Sequence, residues 1–408
     1  MLDYNELFYL KEYVPMANNY VFNDILPVAP LKLAALESCK DLATKVNDHI
    51  VTFRRNDTVE LLRRQQDLNY RGYDVDSYLL DCKCPRFGSG EAKAVINESV
   101  RGADLFAMVD VTNYSIPYSV CGYTNHMSPD DHFQDLKRII AAVGGKAKRI
   151  TVIMPFLYES RQHKRTGRES LDCALALQEL VDMGVDNIIT FDAHDPRVQN
   201  AIPLKGFETV QPVYQFIKGL FKAVPDLHID KDTMMIISPD EGGMGRAIYM
   251  SNVLSVDMGM FYKRRDYARI VNGKNPIVAH EFLGADVEGK DMVIIDDMIS
   301  SGDSMIEVAT ELKKRKAGRI FICATFGLFT DGMDKFDKAY EEGLFDYLLT
   351  TNLVYQTPEL LQKPYYVNCD MSKYIAYIID TLNHDTSISS LLSPLNRINK
   401  FLKEHNNQ

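Results

Sequence analysis

Five short runs of the chain are apolar at odd and even positions alike: RITVIMPF (Arg149–Phe156), NIITFDAH (Asn187–His194), TMMIISPD (Thr233–Asp240), DMVIIDDM (Asp291–Met298) and RIFICATF (Arg319–Phe326). A strand that is apolar on both faces is buried on both, the condition of a parallel sheet covered by helices. Between the runs lies sequence of helical period. ESLDCALALQELVDMG (Glu169–Gly184) sets Leu171, Ala174, Leu175, Leu177, Leu180 and Val181 on one stripe and ends at Gly184, suited to the left-handed position after a helix. Past the strand Met292–Ile295, the positions Met305, Val308, Ala309 and Leu312 form the stripe of another crossover helix. This alternation predicts a doubly wound α/β architecture.

An internal repeat divides the chain. VRGADLFAMVD (Val100–Asp110) and VEGKDMVIIDD (Val287–Asp297) share V-x-G-x-D, an apolar strand and a final Asp, and KAKRI (Lys146–Ile150) is echoed in order by KAGRI (Lys316–Ile320). The expected division is an N-terminal extension over 1–22, a first domain over 23–229, a second over 230–395 and a polar, fraying tail over 396–408. Residues 52–80 are highly charged and read as a surface helical insertion without chemistry.

Composition narrows the classes of function. The 408 residues carry 46 Lys and Arg against 56 Asp and Glu, a net charge of -10, which offers no basic surface to a nucleic-acid backbone. The start, MLDYNELFYLKEYVPMANN, lacks the basic and apolar regions of a signal peptide, and no stretch has the length of a membrane span. The expectation is a soluble, cytoplasmic protein without membrane or nucleic-acid partners. Seven scattered cysteines suggest reduced thiols rather than a disulfide framework.

The chemistry gathers at VIIDDMISSGDS (Val293–Ser304). Its loop, Ser300, Ser301, Gly302, Asp303 and Ser304, lies at a helix N-terminus, where free N–H groups and the helix dipole favour a phosphate. Asp296 and Asp297, at the strand's carboxyl end, can accept hydrogen bonds from adjacent sugar hydroxyls. Phosphate beside diol describes a ribose 5-phosphate; a metal carboxylate or a simple helix cap are the alternatives for this motif taken alone.

These residues resemble the loop that binds phosphoribosyl diphosphate (PRPP) in phosphoribosyltransferases and ribose-phosphate pyrophosphokinases. Four further stretches resemble the pyrophosphokinases: FGSGEAKAVINESVRGAD (Phe87–Asp104), SRQHKRTGRES (Ser160–Ser170), FDAHDPRVQNAI (Phe191–Ile202) and ISPDEGGMGRA (Ile237–Ala247). FYKRRDYARIVNG (Phe261–Gly273) is similar to the family's K-x-R at the root of a mobile loop. The resemblance implies two tandem phosphoribosyltransferase-like domains, each a mostly parallel sheet flanked by helices. It implies diphosphoryl transfer from ATP to the 1-hydroxyl of ribose 5-phosphate, giving PRPP and AMP, with Mg²⁺. By the same resemblance Phe87, Ser89 and Glu91 hold adenine, from a neighbouring subunit. Arg161, Gln162 and His194 manage the triphosphate, with His194 and Asp240 at the metal. Asp240, Asp296 and Asp297 orient the ribose, residues 300–304 take its phosphate, and Lys263 and Arg265, with His194, serve catalysis. A homo-oligomer, a dimer or ring of dimers, is implied with it.

The chain departs from the family's pattern at named places. Ser300 replaces an Asp of D-D-M-x-D-T-x-G-T, Gly302 comes one place early, and Asp303 stands where glycine is usual, which asks that its carboxylate turn away from the phosphate. Ser89 stands for asparagine, and Asp195 follows His194 where a small apolar residue is usual. A non-catalytic regulatory subunit and a PRPP-consuming transferase are the rival readings.

Overall fold

The computed structural model describes residues 26–63, 70, 72–265 and 277–406, and the side chains of all but 59–63, 263–265, 277–280 and 406. A first sheet takes its strands in chain order: β1 (Leu31–Ala35), β2 (Asp104–Met108), β3 (Arg149–Ile153), β4 (Asn187–Phe191) and β5 (Gly206–Val210), all parallel. Helices α1 (Lys40–Arg63), α2 (Pro129–Val143) and α3 (Asp172–Asp182) link them. β2 is buried at every position, as two-sided packing requires.

After helix α4 (Val213–Ala223) comes a second sheet of seven strands: β6 (Met234–Ser238), β7 (Asp257–Arg265), β8 (Ile277–Leu283), β9 (Asp291–Ile299), β10 (Ile320–Gly327), β11 (Tyr347–Thr351) and β12 (Tyr366–Cys369). Their spatial order is β8-β7-β6-β9-β10-β11-β12, and β8 alone runs antiparallel. Helices α5 (Met244–Leu254), α6 (Asp303–Lys314) and α7 (Asp334–Glu341) cover it, and α8 (Ser372–Asn383) and α9 (Leu395–Asn406) follow. The order reverses between β6 and β9, so their carboxyl ends flank a switch point, the crevice where open α/β sheets bind ligands.

The parallel α/β expectation holds, with the strand-order reversal of a doubly wound sheet in the second sheet and an unbroken chain order in the first, and packing corrects four details. The changeover between sheets falls before α4 rather than at 229/230, because Val213, Phe216, Ile217 and Leu220 pack with Met234 and Ile236 of the second sheet. Residues 52–63 are not a surface insertion. They continue α1, and Arg54, 1% exposed, bonds Asp380 at 2.8 Å and Asn383 at 2.7 Å on α8. Ile375, Ile378 and Ile379 of that returning helix join the core of the first sheet. The tail is a helix: Ile398 is fully buried and Phe401 meets Phe221 edge-on, an apolar anchor that its polar neighbours mask in sequence. On α3 the buried face is Cys173, Ala176, Leu177 and Leu180, while Leu175, assigned to the stripe, is exposed. Among the described residues no helix is long and apolar enough to cross a membrane.

Candidate active site

β9 carries the acid pair near its carboxyl end and runs on to Ile299, and α6 begins at Asp303. Gly302 caps α6 with φ of 84°, and a Cβ there would lie 2.4 Å from the Phe336 ring, so the position requires glycine on two counts. Ser300 Oγ lies 3.3 Å from Thr330 Oγ1. The Asp303 carboxylate stays bonded within the loop, accepting from Ser301 Oγ at 3.0 Å, while Lys335 donates to its Oδ1 at 2.8 Å and to Asp331 at 2.9 Å, setting a cation against its charge.

His194 follows β4 of the first sheet, yet its Nδ1 lies 2.7 Å from Oδ2 of Asp297 at the end of β9. Arg246, on α5 and nine-tenths buried, joins the same group. Its Nε donates to Asp192 Oδ1 at 2.7 Å, Nη2 donates to the Ala193 carbonyl at 3.3 Å and lies 3.5 Å from Asp297, and Nη1 is 4.0 Å from Asp296. Thr325 and Gln211 also donate to Asp192, at 2.7 and 3.1 Å. Both domains thus contribute to one charge lattice. Burial pushes the Asp296 carboxyl up, helped by the Asp297 charge beside it. At Asp297 burial works the same way but is outweighed by the His194 hydrogen bond and the Arg246 charge, which hold that carboxyl below its ordinary value. The pair is therefore divided: Asp297 is buried against His194 and Arg246, while the Asp296 side chain keeps 19% of its surface open to the crevice.

Asp240 lies just beyond β6, the strand beside β9; its Oδ1 accepts from the amides of Gly242 and Gly243 at 2.8 and 3.1 Å, which shapes the turn into α5. Arg161 lines a cavity of about 560 Å³ between the domains, together with Tyr158, Phe329, Thr330 and Tyr355. Gln162 ties its own loop, donating to the Ser170 carbonyl at 2.7 Å. Lys263 and Arg265 lie at the end of β7, and their side chains fall outside the described residues.

The adenine candidates stand apart. Phe87 is half exposed on a turn closed by its amide to the Glu91 carbonyl at 2.7 Å, and Ser89 Oγ donates to Glu91 at 2.8 Å. Among the described residues nothing bonds them to Arg161, His194 or Asp297. Arg246, Asp192, Thr325 and Lys335 went unassigned in the sequence. Arg246 had a usable signal, an arginine one turn into the helix after the paired glycines; the others meet their partners only through the fold.

Two mostly parallel α/β sheets in tandem, one with an acid pair and a serine-glycine loop at its switch point, define a phosphoribosyltransferase-like class of protein. Comparison with known proteins narrows this. Residues 31–184 match the N-terminal domain of ribose phosphate pyrophosphokinase, and residues 207–342 match the phosphoribosyl transferase domain. The chain is 30% identical to the ribose-phosphate pyrophosphokinase of Vibrio vulnificus strain YJ016 over 346 residues, 84% of this chain and 98% of that protein. It is 28% identical to that of Mycoplasma pneumoniae over 78% of this chain and 89% of that protein. A crystal structure of phosphoribosylpyrophosphate synthetase from Mycobacterium smegmatis shares the fold, with a TM-score of 0.65 at 22% identity over 87% of this chain and 99% of that one. The chain belongs to the ribose-phosphate pyrophosphokinase family.

Proposed function

We propose that this chain runs the family's reaction in the crevice between β4, β6 and β9. The 1-hydroxyl of ribose 5-phosphate attacks the β-phosphorus of ATP, giving PRPP and AMP. The observation that carries this assignment is the 2.7 Å contact between His194 of the first domain and Asp297 of the second. It sets the nucleotide-side histidine against the ribose-side acids, as transfer between two bound substrates requires.

In this reading the N-terminus of α6, with residues 300–304, holds the 5-phosphate, and Asp296 accepts from the ribose hydroxyls while Asp297 orients His194. Arg161 and Gln162 meet the triphosphate. Lys263 and Arg265 stabilise charge in the transition state. The donor set suits a divalent cation bound chiefly through substrate oxygens: Asp297 fixes the His194 ring through Nδ1 and leaves Nε2 to face a ligand, and Asp240 adds a carboxylate. Mg²⁺ held there would neutralise the phosphate oxygens of ATP. Phe87, Ser89 and Glu91, exposed and distant from the charge lattice, serve the adenine of a neighbouring copy, so the working protein is a homo-oligomer. The test is AMP formation from ATP and Mg²⁺ with and without ribose 5-phosphate, following PRPP by mass. Ribose-dependent AMP with stoichiometric PRPP is expected; silence from folded protein would sink the assignment.

A further inference from the structure

Two imidazoles stand side by side where the first domain meets the crevice. His163, next to Gln162, and His194 have ring centres 5.4 Å apart and planes tilted by 56°. Each has a carboxylate at one nitrogen. Asp297 Oδ2 is 2.7 Å from Nδ1 of His194, and Asp195 Oδ2 is 3.5 Å from Nε2 of His163. At His194 the contact is a hydrogen bond, which fixes the ring proton on Nδ1 and leaves a lone pair on Nε2, the arrangement typical of metal-binding histidines; at His163 the carboxylate lies beyond hydrogen-bond distance and its charge favours the proton on Nε2. On His163 that other nitrogen, Nδ1, is buried without a partner. Buried polar atoms are rarely left so, and the deficit asks for a ligand. On His194 it is Nε2, on a side chain one-third exposed at the crevice. Two rings bound to one ion through nitrogens about 2.1 Å from it, at a tetrahedral or octahedral angle, would have centres about 5 Å apart. The observed spacing fits.

We propose that His163 and His194 together seat a divalent first-row transition ion, completed by nucleotide phosphate oxygens and water. The inference rests on reading His194 as the cation residue of the nucleotide site and adds a second nitrogen to it. Among the described residues no group of three or more His, Cys, Asp or Glu side chains converges, so the two imidazoles are the direct protein ligands, Asp240 contributes its charge from outside the pair, and substrate and solvent complete the sphere. Paired imidazoles suit Mn²⁺ or Co²⁺ better than Mg²⁺, which prefers oxygen and dehydrates reluctantly. Asp195, which departs from the family's small apolar residue, becomes the outer carboxylate of His163. Arg197 holds it in place, donating through Nε at 2.9 Å.

The test is calorimetric titration of the full chain with MnCl₂ or MgCl₂ alone, and visible spectra with CoCl₂, for the wild type, His163→Gln, His194→Gln and Asp195→Asn. Mn²⁺ affinity is expected to fall about 10- to 100-fold in both histidine variants and less in Asp195→Asn. Mg²⁺ affinity should change by no more than about threefold in His163→Gln. The Co²⁺ bands should weaken in both histidine variants. His163→Asn, tested beside it, must show the same loss, which separates ligation from a disturbed loop. Wild-type Mn²⁺ binding by His163→Gln with impaired His194→Gln would overturn the shared seat and leave the His194 reading standing. Unchanged binding in both, or no Mn²⁺ binding by the wild type, would remove both.

Discussion

The two domains are built on one scaffold and differ in what they place at its end. In the first, Arg149 clasps Asp104 at 2.9 and 2.6 Å; in the second, Arg319 clasps Asp291 at 3.1 and 2.6 Å. The amide after each arginine donates to a further aspartate, Ile150 to Asp186 at 3.0 Å and Ile320 to Asp346 at 2.8 Å. Then the copies part. Asp110 and Asp297 close the same repeat, but Asp110 accepts from neutral donors, the Thr112 amide and hydroxyl at 2.9 and 2.7 Å and the Tyr355 amide at 2.7 Å. Burial pushes its carboxyl up to about 6. Asp297 meets a histidine and an arginine, and its strand opens onto the N-terminus of a helix. A scaffold can be duplicated whole; chemistry depends on whether the strand-end carboxylate meets an arginine, a histidine and an open loop or neutral donors that close it off.

The scaffold pairs should separate the domains most. Asp104 is fully buried, so Arg149→Met leaves an uncompensated charge and should cost about 3–5 kcal/mol of stability, whereas Arg319→Met, at a partly exposed pair, should cost about 1 kcal/mol. Urea unfolding measures both, and equal losses would mean that depth does not distinguish the clasps. Next comes the loop. Gly302→Ala should lower kcat/KM for ribose 5-phosphate about 100-fold by displacing the phosphate seat, while Thr112→Ala, in the corresponding first-domain segment, should leave turnover within about twofold.

Asp110 offers a third contrast, read by NMR of its carboxyl carbon. In the folded chain it holds its proton to about pH 6, while unfolded it releases near 3.8, so between those values the folded state binds more protons. Its contribution must make stability fall as pH rises through that window. A midpoint at the ordinary carboxylate value would deny that its neutral donors leave it undercompensated. The smallest effect belongs to Lys335→Ala. It should raise KM for ribose 5-phosphate about threefold with kcat unchanged, because an exposed ion pair screens Asp303 only modestly.

The sequence was most legible where burial acts on both faces of an element. Met234–Ser238 and Ile320–Gly327 are buried throughout and could be read from composition alone. Met305, Val308, Ala309 and Leu312 all point inward, as their spacing predicts. On α3 the exposed Leu175 shows the limit of that method, since an apolar residue at the edge of a stripe costs little to leave in water. Arg54 was illegible because an arginine in a charged run reads as solvated, and its partner Asp380 lies 326 residues away. The acid pair was found, but its division was not: only the fold brings His194 and Arg246 against Asp297 and leaves Asp296 facing the crevice.

The return of α8 to the first sheet has a consequence for synthesis. Asn383 donates to Asp104 at 2.9 Å and to the Ala29 carbonyl at 3.0 Å, binding the start of the described chain to a residue near its end. During translation the first sheet therefore waits with an open flank while everything from α4 to β12 leaves the ribosome. The second domain is closed later still, because Ile398 of α9 belongs to its core, so neither sheet is sealed until α8 and α9 have both emerged and the two domains are completed together.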